Sequence, residues 1–183
     1  DIDCVELVNN TSLYDGTSEI AAAPMNAAAT EKTKQLYQFL QQNYGQKIVT
    51  GQYVSDSSGK ELDEIYNITG KYPLIRFADM NAYSPNGGDE TKATAVADSL
   101  AWAEEGGVVG LSWLWNAPTG TATFYEKDTS FDLKNAVTDA DVAGKSEEEL
   151  SKMVSNGEIT QNCYALISDI DRISAALKPL ADA

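Results

Sequence analysis

Apolar positions along the chain follow two rhythms, and their alternation predicts the elements. Residues 1–29 are polar and Ala-rich with few apolar anchors, so they read as an arm. From Thr30, a capping residue, Leu36, Leu40 and Tyr44 recur at helical spacing until Gly45 stops the pattern. Lys47 to Tyr53 reads as a short strand that enters a loop rich in Ser and Asp. Leu62, Ile65 and Tyr66 mark one face of a second helix over Lys60 to Thr69, closed by Gly70. Pro73 to Ala78 is a second apolar strand running into Asp79, Tyr83 and Pro85. A third helix is predicted from about Thr91 to Glu105, with Val96, Leu100 and Ala103 on its stripe. Gly106 and Gly107 end it. The run Val108 to Trp113 follows without any charge, as expected of a parallel strand covered on both faces.

After Pro118 comes a long polar excursion over residues 119–160. Within it, Ser146 followed by Glu147, Glu148 and Glu149 has the form of a capping box opening a short helix that ends near Asn156 and Gly157. Acidic residues favour a helix's first turn, which accounts for the triplet without a bound cation. Cys163, Ile167, Ile170, Ile173, Leu177 and Leu180 then recur at helical spacing, with Pro179 set to bend or fray the last turn. The order is strand, helix, strand, helix, strand, with crossovers long enough for parallel pairing. Three βα units leave both sheet edges open, whereas a closed barrel takes eight such units and about 250 residues. The 183-residue chain therefore reads as a fragment of an α/β protein.

Charge and missing residue types narrow the chemistry. Thirteen basic against 28 acidic residues give a net charge of −15, which argues against nucleic acid and anionic membrane surfaces and suits a neutral polymer in an extracellular medium. The chain has no histidine, so Ser/His and Cys/His nucleophiles and His-ligated zinc are excluded. Cys4 and Cys163 belong to no CxxC motif; a disulfide and two free thiols both remain open. Asn9, Asn10 and Asn67 each open a glycosylation-type triplet. No apolar run approaches the roughly 20 residues of a membrane span.

The densest candidate chemistry lies in Trp113-Leu114-Trp115-Asn116-Ala117-Pro118, at the carboxyl end of the third strand. Ligands of parallel α/β sheets and barrels bind at that end of the strands. An indole face is wide and electron-rich enough to stack on the C–H face of a sugar, and equally suited to fill a core. Asp56 and Asp79 follow the first and second strands, although nothing marks them as a catalytic pair.

Four stretches in order carry a family likeness: Thr50-Gly51-Gln52, Thr69-Gly70-Lys71-Tyr72-Pro73, Asp79 with Tyr83-Ser84-Pro85, and Gly106-Gly107 through Ser112-Trp-Leu-Trp-Asn-Ala-Pro118. Together with the helix Tyr164 to Asp182, they resemble the first half of glycoside hydrolase family 26, best known for endo-β-1,4-mannanases. The resemblance implies a (β/α)8 TIM barrel in the intact protein, with about three βα units here. Residues 1–29 would be an N-terminal arm, and 30–183 the first, incomplete part of the catalytic domain. It implies a retaining double displacement by two glutamates at the ends of the fourth and seventh strands. Both positions lie beyond Ala183, so no catalytic residue is expected in this chain, and the chain alone is expected to be inactive. No metal or cofactor is implied.

Carried over by position, the substrate-binding candidates are Gln52, Asp79, Tyr83, Trp113, Leu114, Trp115 and Asn116. Many members of the family have a histidine where Leu114 stands. Leucine supplies contact area but no hydrogen bond, which puts standard mannan specificity in question. If Leu114 faces the barrel axis, alternation sends both tryptophans toward the helices, and Trp115 is then the better sugar-stacking candidate of the two. The expected whole is a secreted, extracellular enzyme acting on β-mannan, with a companion segment completing the barrel. The alternatives are a non-catalytic β-glycan-binding protein, or the same fold acting on β-1,3-xylan or mixed-linkage glucan.

Overall fold

The computed structural model describes residues 21–87 and 93–182. Cys4, Asn9 and Asn10 lie outside these residues, as does the expected start of the third helix at Thr91. Packing divides the chain into two units, Asp1–Ile48 and Val49–Ala183.

The first unit contains α1, Glu31–Asn43. The Thr30 hydroxyl accepts the Thr33 N–H at 3.2 Å, the cap foreseen from the sequence. Tyr44 N–H closes onto Gln41 O, and Gly45 follows with a φ of +71°. The Tyr37 hydroxyl donates to Ala21 O at 2.7 Å, which fastens the preceding segment to the helix. No residue of α1 is buried.

The second unit is built on a three-stranded parallel sheet in the order β1-β2-β3: Gly51–Tyr53, Ile75–Asp79 and Val108–Ser112. Helix α2 (Lys60–Thr69) connects the first two strands and α3 (Ala95–Glu104) the last two. The limits of α2 match its sequence punctuation, with Gly70 closing it in the left-handed region.

Strand β1 is shorter than the expected Lys47 to Tyr53. Its register pairs Gly51 with Ile75, so extending it backward would set Val49 opposite Pro73, which has no N–H for a ladder. Helix α3 begins at Ala95 rather than near Thr91. Its first turn is fixed from outside: the Tyr83 hydroxyl accepts the Val96 N–H at 3.0 Å and donates to Ala93 O at 2.9 Å.

Register sorts the strand residues by face. Arg76, paired with Val109, and Ala78, paired with Leu111, point toward the helices. There Ala78, Met80, Ala95, Val96 and Ile173 form a core, completed by Leu111, Trp113, Leu177 and Leu180. Arg76 is 5% exposed and pairs with Asp98 of α3 at 3.2 Å, an interior ion pair whose rupture would strand a charge.

The opposite face departs from the expectation of strands covered on both sides. On it Tyr53 and Phe77 stay 45% and 38% exposed. Phe77 lies flat between two glycines: a Cβ on Gly110 would sit 2.3 Å from its ring, and one on Gly51 3.0 Å from it.

The polar excursion ends in α4 (Glu147–Ser155), whose capping box forms as read from the sequence. Helix α5 (Gln161–Asp182) runs through Pro179 without ending there. Leu150, Met153, Ile159 and Cys163 make a second small core between α4 and α5, and Cys163 is a buried free thiol. No helix among the described residues is long and apolar enough to cross a membrane.

Candidate active-site rim

The carboxyl ends of β2 and β3 are joined by one carboxylate. Asp79, the last residue of β2, accepts the Asn81 N–H on Oδ1 at 2.7 Å and so opens a turn of 3-10 helix over Asn81–Tyr83. Its Oδ2 accepts the Ser112 hydroxyl at 2.9 Å and the Leu114 N–H at 3.0 Å. Asp79 and Ser112 are register partners on the face away from the helices, which is why the short carboxylate can reach across. The arrangement places Asp79 as the fastener that holds the end of β3 in position.

Beyond Ser112 the chain stops pairing as a strand. Trp115 N–H returns to Trp113 O at 2.9 Å, a three-residue turn, yet the alternation expected of the two tryptophans and Leu114 persists. Leu114 is 47% exposed. Trp113 packs into the core and donates its indole N–H to the buried Ser84 hydroxyl at 2.9 Å. Trp115 lies 5.5 Å from Trp113, meets the Phe131 ring edge-on at 5.4 Å, and donates its N–H to Asp169 of α5 at 2.8 Å. Burial raises the Asp169 carboxyl above its usual value, while the indole bond and Arg172 pull it back down.

Asn116 donates to Asn86 O at 2.7 Å, and Asn86 donates back to Ala117 O at 3.1 Å. This reciprocal clasp ties the loop after β2 to the loop after β3.

The structure thus brings Asp79, Leu114, Trp113, Trp115 and Asn116 into one rim. It places Gln52 and Tyr83 elsewhere. Gln52 is the register partner of Arg76, so it sits on the helix-facing side, where its amide donates to Tyr53 O at 2.7 Å. The Tyr83 hydroxyl is consumed by the start of α3. The residue that shares the Asp79 face from β1 is Tyr53, which the sequence reading passed over. Its phenol is raised above the usual value by burial first and by the charge of Asp79 second. The signal was available: counted back from Asp79, every second position of β2 faces away from the helices, and register carries that parity to Tyr53. Among the described residues no three His, Cys, Asp or Glu side chains gather as a metal site would require.

Residues 25–183 match the family model of glycosyl hydrolase family 26. The chain belongs to glycosyl hydrolase family 26. It is similar to a mannan endo-1,4-β-mannosidase of Thermothelomyces thermophilus, with 31% identity across 98% of this chain and 37% of that protein. It is also 31% identical to mannan endo-1,4-β-mannosidase A of Piromyces sp, covering 91% of this chain and 26% of the relative. Among solved structures, the Podospora anserina GH26-CBM35 β-(1,4)-mannanase aligns over 89% of this family 26 chain and 36% of its own, at 29% identity and a TM-score of 0.65. The fold is also similar to a β-mannanase from a symbiotic protist of the termite Reticulitermes speratus, at 24% identity and a TM-score of 0.65, over 90% of this chain and 49% of that one. The family 26 chain therefore spans well under half the length of these curated relatives, and its three parallel βα units are the part of the family's α/β fold that it contains.

Proposed function

We propose that the chain is the first part of a secreted endo-β-1,4-mannanase that cleaves mannan with retention of configuration. The observation that carries this reading is the likeness to a mannan endo-1,4-β-mannosidase along 98% of the chain. The geometry supports it, because Asp79, Leu114 and Asn116 gather at the strand ends where barrel enzymes bind substrate. In the intact protein further βα units close a (β/α)8 barrel over the face that carries Tyr53 and Phe77. The acid and the nucleophile are glutamates of the fourth and seventh strands, and this chain contributes substrate contacts and the frame that holds them. One glutamate protonates the glycosidic oxygen, the other attacks the anomeric carbon, and water then releases the sugar. Secretion follows from the substrate, a polymer too large to enter a cell.

The test is hydrolysis of β-mannan by the full-length protein, with the anomer of the first product followed by NMR. Internal cleavage with a β-anomeric product is expected, whereas an α-anomeric product would overturn the retaining mechanism. Binding of mannan without release of reducing ends would move the reading to a non-catalytic glycan-binding protein. Residues 1–183 alone are expected to release none.

A second reading keeps the enzyme and changes the polymer. It is favoured by Leu114, whose exposed alkyl side chain offers a sugar contact area but no hydrogen bond. Comparison of mannan with β-1,3-xylan and mixed-linkage glucan decides between the two.

A further inference from the structure

The triplet Asn67-Ile68-Thr69 takes no part in the rim, yet it has the full acceptor form for an N-linked glycan, with a residue other than proline in the middle. It occupies the last turn of α2. At about 100° per residue, Asn67 falls on the side of that helix opposite the buried Leu62. Asn67 is exposed, and its carboxamide makes no hydrogen bond among the described residues. Ile68 beside it is 85% exposed, so nothing in the fold covers its apolar side chain.

Topology keeps this turn clear of the rim. Helix α2 carries the chain from the end of β1 back to the start of β2, so its last turn lies at the amino ends of the strands. Asp79 and Leu114 stand at the opposite, carboxyl ends. Thr69 sets the order of events. Its hydroxyl donates to Ile65 O at 2.8 Å and accepts the Lys71 N–H at 3.2 Å, and Gly70 closes the helix in the left-handed region. In the folded chain that hydroxyl is committed to the helix end. A transferase that reads it must meet the triplet while the chain is still extended. Helix α2 then closes with Asn67 directed away from the sheet, and a bulky group on it disturbs no packing.

We infer that Asn67 is an N-glycosylation site whose first sugar shields Ile68. The donor is an oligosaccharide linked through N-acetylglucosamine to a polyprenyl diphosphate. A bond forms from Asn67 Nδ2 to C1 of that sugar, and the bond from C1 to the diphosphate oxygen breaks. The diphosphate leaves with the electron pair, and the amide nitrogen gives up one proton to solvent. The attached glycan is bulky and solubilising, which suits an outward position beside an uncovered isoleucine. The inference rests on the reading of the protein as secreted, because the chain meets that donor on the secretory route.

The test secretes the full-length protein from a yeast, together with its Asn67→Gln, Ile68→Ser and doubly substituted variants. The peptide containing position 67 is mapped by mass before and after enzymatic release of the glycan. In wild type it is expected to carry N-acetylhexosamine and hexose, and release should convert Asn67 to aspartate. Ile68→Ser keeps the acceptor form and should be modified as well, whereas Asn67→Gln should lose the glycan and hydrolyse mannan as wild type does. An unmodified Asn67 in the secreted wild-type protein overturns the site. Shielding is read from retention on a hydrophobic column. Ile68→Ser should shorten retention in the Asn67→Gln background and leave the glycosylated protein nearly unchanged. Equal shifts in both backgrounds overturn the shielding. Mannan hydrolysis without a glycan at Asn67 removes only this inference. A glycan at Asn67 on a protein that leaves mannan intact removes only the mannanase reading.

Discussion

The Trp115 indole donates its N–H to Oδ2 of Asp169 at 2.8 Å, joining the end of β3 to the middle of α5 across 54 residues of chain. Asp169 is 3% exposed, so the pair is enclosed. Replacing Asp169 by Ala leaves the indole N–H without an acceptor, at a cost of about 1–3 kcal/mol. Asp169→Asn keeps an acceptor and is expected to lose less. Urea unfolding midpoints of the two variants check the order; equal losses would show that the bond contributes nothing beyond shape.

The same pair gives stability a pH dependence. Burial holds the Asp169 carboxyl above its ordinary value, so the folded state binds the proton more readily than the unfolded chain. The group's contribution is most favourable in acid and is lost as pH rises from about 4 through the raised folded value. Trp115→Phe removes one of the influences that lower it, so the loss on raising the pH becomes larger than in wild type. Unfolding midpoints at several pH values measure this, and parallel curves for the two proteins would contradict it.

Gly110→Ala drives a methyl group to 2.3 Å from the Phe77 ring. The expected destabilisation is about 1–3 kcal/mol, as for other overpacked sites. Adding Phe77→Leu clears the space and should restore part of the thermal midpoint. An unaltered midpoint in the single variant would mean that the ring moves freely away from β3.

Asp79→Ala removes the acceptor of three donors at once, Asn81 N–H, Ser112 Oγ–H and Leu114 N–H. A loss of about 2 kcal/mol or more is expected, and in the full-length protein a fall in activity from the displaced Leu114. Asp79→Asn keeps one face of acceptors and should sit between. Stability and mannan hydrolysis measured together test this, since wild-type activity in the Ala variant would separate Asp79 from the rim.

Leu114→His in the full-length protein introduces a polar side chain at the exposed position after β3. One added hydrogen bond to the sugar is expected to raise kcat/KM on mannan about tenfold. Unchanged kinetics would show that Leu114 does not set the preference.

Much of this architecture was legible in the sequence because local chemistry wrote its limits. Gly70 ends α2, and Ser146 with Glu149 opens α4; both signals act within a few residues. Strand β1 was overestimated because its length depends on Pro73, two residues before the neighbouring strand, not on its own apolar residues. Likewise α3 takes its start from Tyr83, which lies outside the helix. At the rim, alternation correctly separated Leu114 from the two tryptophans. Gln52 was favoured over Tyr53 because the motif drew attention to the residue rather than to its parity in the sheet. Asp169 stayed invisible: an acidic residue in an amphipathic helix reads as solvent-facing until its partner 54 positions away is in place.

The Phe77 ring, lying between Gly51 and Gly110, also acts as a key for strand alignment. A parallel sheet with one uncovered face has little to stop a strand from sliding along its neighbour. Sliding either outer strand carries its glycine away and brings a residue with a Cβ under the ring, where no room exists. The aligned state is therefore the one in which both notches meet the same tooth. Because that key sits midway along β2, it fixes where each strand stops, and so the level at which Tyr53, Asp79 and Leu114 stand relative to one another at the rim.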